Sequence, residues 1–163
     1  MMEVTVQVEA TVGSRVAPDH EPEPAPRQWA GHPVLDGFPV GEGFVSDSLA
    51  PNGEPADVLV LMEEPALPGT VRARPVALLH ASVDGRPVDE VVCVTARDPH
   101  FEKITDLPGL QAWHCDDAAL EALLRRLGHG HAWQVVGCEG AAGAEEFLSD
   151  AHHTYERLTG CID

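Results

Sequence analysis

Lysine and tyrosine are almost missing from this chain: Lys103 and Tyr155 are the only ones among 163 residues. Basic side chains number 10 against 27 Asp and Glu, a formal net charge of −17. So few cations argue against a nucleic-acid or anionic-membrane surface, since both depend on clustered Lys and Arg. The acid excess points instead toward divalent cations or a neutral or cationic small molecule, and it also keeps a small protein soluble. No apolar run approaches the roughly 20 residues that a membrane-spanning helix needs. Met1 to Ala10 has no basic segment followed by an apolar one, so no signal peptide is expected and the chain reads as cytoplasmic. The four cysteines, Cys93, Cys115, Cys138 and Cys161, form no CxxC pair. A zinc ribbon is thereby excluded, no disulfide framework is expected, and free, mostly buried thiols are.

What is present suits one domain over residues 1–163, with 44% hydrophobic residues and room for one sizeable core. Val4, Val6 and Val8 alternate with polar residues, the period of a half-buried strand. Near 18–27 lies a Pro/Glu-rich loop: Pro18 to Pro26 reads PDHEPEPAP, which can form neither a helix nor a central strand. Gly and Pro between Gly31 and Gly43 suggest turns joining short strands. Asp57 to Met62 is a buried strand, and Thr70–Leu79 and Glu90–Ala96 read as two more, with Asp84-Gly85 supplying a hairpin turn. Leu120, Leu123, Leu124 and Leu127 form one helical stripe after Asp116-Asp117, with Gly128 as a stop. Trp133 to Val136 is a further strand. A last helix carries Ala144, Phe147, Leu148, Ala151, Tyr155 and Leu158 on one face, ending at Gly160. Strands followed by helix, strand and helix predict a small barrel or curled antiparallel sheet with helices outside it.

Asn52 to Pro75 reads NGEPADVLVLMEEPALPGTVRARP, and Val92 to Leu107 reads VCVTARDPHFEKITDL. The first resembles the D-G-D-P-x-D-V-L-V signature, P-G and R-P-V-G strand of the family I inorganic pyrophosphatases. The second is similar to that family's D-P-x-[YF]-x-x-I-x-D-L segment. From Gly43 onward the resemblance covers about two-thirds of the chain. It implies an α+β fold, an OB-like five-stranded β-barrel flanked by two main helices, and a homo-oligomer, usually a hexamer in bacterial members. It also implies Mg²⁺ as cofactor and diphosphate as substrate. That reaction needs cations to neutralise the substrate and to activate water, with oxygen ligands to hold them and Lys, Arg or Tyr to hold phosphate.

Set against the family pattern, the usual catalytic residues are mostly replaced. The three signature carboxylates fall on Asn52, Glu54 and Asp57, and only Asp57 is unchanged. The next two fall on Val83 and Val88, each one residue from Asp84 and Asp89, so that using those acids requires a bulge or irregular turn. The lysine after them becomes Glu90, the active-site tyrosine becomes Glu42, and the early glutamate and lysine correspond to Gln7 and Arg15. The Tyr-Lys pair of the first long helix falls near Arg125 and Arg126.

Four readings stay open. In the first, the old cavity serves other small-molecule chemistry or binding, with Asp57, Glu54, Glu42, Asp89 and His80 as catalytic candidates beside Asp84 and Glu90. Arg15, Trp29, Arg125 and Arg126 would then contact the ligand. In the second, Glu54, Asp57, Asp84 and Asp89 hold Mg²⁺ for weak diphosphate hydrolysis, with Arg15, Arg125 and Arg126 on phosphate. The third is a non-catalytic oligomeric scaffold. The fourth is a transition-metal site from His114, Cys115, His129 and His131. Blander readings stand beside these: solvated carboxylates, arginines on the wet face of a helix, a structural His80, and Trp29 and Trp113 as packing.

Overall fold

A computed structural model describes residues 2–18, 28–29, 32–33, 37–64, 69–127 and 131–160. The proline-rich loop near 18–27 lies outside the described residues except for Pro18. In chain order the strands are β1 (Val4–Val12), β2 (Gln28–Trp29), β3 (His32–Pro33), β4 (Val40–Val45), β5 (Ala56–Leu61), β6 (Gly69–Val83) and β7 (Arg86–Thr95). A 3₁₀ turn (Pro99–Phe101), α1 (Leu107–Ala112), α2 (Asp117–Leu127), β8 (Trp133–Gly140) and α3 (Ala141–Thr159) follow.

The main sheet has six strands in the order β1-β4-β5-β7-β6-β8, and β1 also pairs with β6. Five strands therefore close into a ring, with β8 added along the second half of β6. The long β6 makes this arrangement. Its Gly69–Ala73 end takes β1 and its Ala77–Val83 end takes β8, while β7 runs along the other edge. The expected antiparallel sheet is corrected at one pair: β5 and β7 run parallel, because β6 intervenes between them in the chain and reverses direction twice. Between β6 and β7, Asp84 (φ 50°) and Gly85 (φ 84°) form the two-residue turn whose positive φ values match the twist of the strands.

Alternation along the strands divides the core. Val40, Leu59, Leu61, Val76, Leu79, Val92 and Val94 face one cluster, closed by Leu110 of α1 and by Leu120, Leu123 and Leu124 of α2. Val6, Val8, Val58, Val60, Leu78, Val91 and Cys93 face another, with Ala144, Leu148 and Ala151 of α3. The expected stripe of α3 ends early: Leu158 is exposed rather than packed. Helix α3 stops at Gly160, whose left-handed φ of 76° turns the chain out. Buried Arg74 donates to the carbonyls of Phe101 and Ile104 and fastens the segment after β7 to β6. Helix α1 and the 3₁₀ turn carry no sequence-based prediction, because six and three residues are too short to show a period.

Candidate functional site

Three carboxylates share the first face of the ring. Asp57 lies two residues from Leu59, Glu90 from Val92, and Glu42 from Val40, and alternation puts each on the face of those members of one core cluster. Asp57 and Glu90 are partners across the parallel β5–β7 pair, and Glu42 on β4 pairs with Leu59 of β5. Glu9 joins them through a bulge. The β1–β4 register slips between Val8 and Ala10, leaving Glu9 as the extra residue, and bulges of this kind re-aim a side chain. Glu54 adds a fifth carboxylate from the exposed loop before β5, where Asn52 accepts its backbone N–H at 3.0 Å.

The electrostatics follow from this crowding. Burial, then the charges of Glu54, Glu42 and Glu9, push Asp57 up to about 6. Glu90 is buried, and burial followed by the charges of Asp57 and Glu42 pushes it well above the ordinary carboxyl range. Its Oε2 is buried without a hydrogen-bond partner. A group near 6 can both take and give a proton at neutral pH, whereas Glu90 favours its neutral form.

The other expected site residues lie elsewhere. The bulge needed to bring Asp84 and Asp89 to the signature is absent: β6 and β7 pair without a slip from Ala77–Val92 to Val83–Arg86. Asp89 thus stays on the face opposite Glu90 and takes His80 Nδ1 at 2.7 Å. Asp84 sits in the turn, bonded to His131 Nδ1 at 2.8 Å and to the N–H of Ala132. His80 is held on both sides, its Nε2 meeting Glu139 of β8 at 2.5 Å, and these hydrogen bonds, Asp89 first, raise its pKa. Arg125 donates to the Trp133 carbonyl and Arg126 to the Gly13 carbonyl, so both brace α2 against its neighbours. Arg15 is exposed beside buried Ser14, and the side chain of Trp29 lies outside the described residues. Trp113 stacks on Phe38 with ring centroids 5.4 Å apart, which is packing. His114 is exposed and Cys115 buried, the two do not form a group of three possible ligands with His131, and His129 lies outside the described residues. Glu9 had no signal in the sequence, because strict alternation gives no hint of where a bulge falls.

The inorganic pyrophosphatase family model matches residues 35–156. An inorganic pyrophosphatase from Haloferax volcanii is 32% identical over 121 residues, 73% of this chain and 68% of that protein. The chain belongs to the inorganic pyrophosphatase family. A Synechocystis inorganic pyrophosphatase is 36% identical over half of this chain and 49% of its own length. Among solved structures, the inorganic pyrophosphatase of Thermus thermophilus aligns over 94% of this chain and 91% of its own, with TM-score 0.64 and 25% identity. The Helicobacter pylori enzyme, at 21% identity and TM-score 0.67, shares the fold over 94% of both chains. The pyrophosphatase fold expected from Asn52–Pro75 and Val92–Leu107 is therefore shown, as a six-stranded sheet with a closed ring of five strands and two main helices. No helix among the described residues is long and apolar enough to cross a membrane.

For Mg²⁺, the metal the family resemblance implies, the donor chemistry at Asp57 fits. Glu42, Glu54, Asp57 and Glu90 offer only oxygens, and the orphaned Glu90 Oε2 is one ligand atom not otherwise used. Their oxygens are not drawn into a group of three within 4.8 Å. That spacing suits an ion that keeps several of its waters and takes one or two carboxylates directly.

Proposed function

We propose that this pyrophosphatase-family protein uses the Asp57 face for chemistry on, or binding of, a small molecule other than free diphosphate. The ligand would be cationic itself or carried with a divalent cation. The observation that carries the reading is Glu90, a buried carboxyl with an unpartnered oxygen beside Asp57. Diphosphate brings several negative charges, and the charges acting on Asp57 are all carboxylates. Arg125 and Arg126 are engaged elsewhere, and Tyr155 and Lys103 lie on α3 and after the 3₁₀ turn. In this reading Asp57 is the general base or acid, Glu90 donates a hydrogen bond as a neutral acid, and Glu42 holds the positive part of the ligand. A homo-oligomer, a hexamer by resemblance, is part of the same proposal, tested by sedimentation.

Family membership favours a second reading, weak Mg²⁺-dependent hydrolysis of diphosphate. Mg²⁺ held by Asp57, Glu42 and Glu90 would offset the substrate's charge and lower the pKa of a bound water. Phosphate release from Mg²⁺-diphosphate separates the two. The first reading expects no release above the uncatalysed rate. Turnover abolished by Asp57→Asn would establish the second.

A further inference from the structure

Beyond the opposite ends of the same parallel strands lies another constellation. Glu63 follows the C-terminal end of β5, and Asp98 and His100 follow the C-terminal end of β7. His100 Nδ1 stands 3.0 Å from Asp98 Oδ1 and 3.4 Å from Glu63 Oε2, and the three donor atoms lie within 4.8 Å of one another. Asp57 and Glu90, near the other ends of β5 and β7, are separated from it by roughly 15–20 Å of extended strand. From this geometry we infer a second metal site, formed by Glu63, Asp98 and His100, that takes a first-row divalent transition ion, Zn²⁺ in preference to Mg²⁺.

The donor set makes that choice. One imidazole nitrogen with two carboxylate oxygens suits Zn²⁺, Mn²⁺ or Co²⁺, whereas Mg²⁺ takes oxygen alone. Zn–N and Zn–O bonds of about 2.0–2.2 Å at tetrahedral angles place ligand atoms about 3.3–3.5 Å apart. The His100–Glu63 separation of 3.4 Å already matches, and His100 and Asp98 need to part by only a few tenths of an ångström.

The ligands are also held in place before any ion arrives. Asp98 caps the 3₁₀ turn by accepting the His100 N–H at 2.9 Å, and its side chain is 11% exposed. The imidazole lies against Phe38 at 5.9 Å between ring centroids, and Arg74 pins Phe101 and Ile104 just beyond. The neighbouring cation, Arg97, pairs with Glu3 at 3.3 Å. His100 and Glu63 are partly open to solvent, which leaves room for water as the remaining ligand.

Zn²⁺ titration of the chelator-stripped full chain by calorimetry, with Co²⁺ absorption as a spectroscopic probe, tests the site. The native chain is expected to bind one equivalent that His100→Ala and Glu63→Gln each weaken at least tenfold. The Co²⁺ d–d bands should disappear in His100→Ala and persist in Asp57→Asn. Thermal melts confirm that each variant is folded, and Glu63→Gln keeps the shape of the loop should His100→Ala disturb it. Unchanged binding in both His100→Ala and Glu63→Gln would overturn the inference, as would a native chain that binds no Zn²⁺ at micromolar concentration.

Discussion

Asp57 and Glu90 leave adjacent parallel strands on the same face, and only Glu90 is sealed from solvent. The charges that act on the pair are carboxylates: Glu54, Glu42 and Glu9 on Asp57, and Asp57 and Glu42 on Glu90. The fold therefore holds repelling groups together, at a cost to stability that depends on pH and on bound cations.

The pH dependence has a definite sign. Unfolded Asp57 releases its proton near its ordinary 3.8, while the folded group keeps it until about 6. Between those values the folded state binds more protons, so stability is present below the lower one and is lost as pH rises through about 6. Discounted for the part of the group that solvent screens, the loss attributable to Asp57 is on the order of 1–2 kcal/mol. Urea unfolding across this range should show it, Asp57→Asn should flatten it, and a divalent cation bound at the site should reduce it. An equally steep profile in Asp57→Asn would place the titration elsewhere.

Glu90→Met is expected to stabilise the fold. The substitution removes a buried polar atom that has no partner and keeps a chain of similar volume among Val92 and its neighbours. A gain of about 1–3 kcal/mol is expected in urea unfolding at neutral pH. Ligand or cation binding at Asp57 should weaken at the same time, since stability and function pull against each other at such a site. A destabilised variant would mean that Glu90 has a partner in solution.

The framework was legible because its signals are local. Asp57-Val58-Leu59-Val60-Leu61 is a buried strand on composition alone, Asp84-Gly85 is a hairpin turn, and Leu120 to Leu127 form a stripe. The site was legible only in part, because it depends on which residues face the same way after the chain closes. Asp57 and Glu42 could be named from their places in the family pattern. Glu9 could not, since its role depends on a bulge between β1 and β4. Asp84 and Asp89 needed an irregularity that a well-paired hairpin does not supply, and one residue of difference placed Asp89 opposite Glu90. His80 ends up between Asp89 and Glu139 because β8 pairs with β6, a contact between residues far apart in sequence.

His80 should titrate above an ordinary histidine. Both ring nitrogens face carboxylates, and the imidazolium is the form that can donate to both at once. Its contribution to stability is fully present below 6.5 and is lost as pH rises through the raised folded value. A histidine NMR titration should place this resonance above the ordinary histidine value of 6.5, and Asp89→Asn should lower it more than Glu139→Gln does. An unshifted His80 resonance would show that the bridge across β7, β6 and β8 does not persist in solution.

Gly43 allows β1 to approach β4 at the bulge, and so fixes where Glu42 stands. A Cβ at this position would collide with the backbone carbonyl of Gln7 and lie 3.0 Å from the Val8 Cα, neither of which can move without breaking the pairing. Gly85 offers the comparison: its φ is 84°, but a Cβ there meets nothing within 4 Å. Gly85→Ala should cost only the conformational penalty of about 1 kcal/mol. Gly43→Ala should cost more than about 3 kcal/mol or prevent folding, because a backbone clash cannot be relieved by choosing another rotamer. Urea unfolding of the two variants side by side measures the difference. Equal costs would mean that β1 and β4 separate readily at the bulge, and then neither Glu9 nor Glu42 would be fixed beside Asp57.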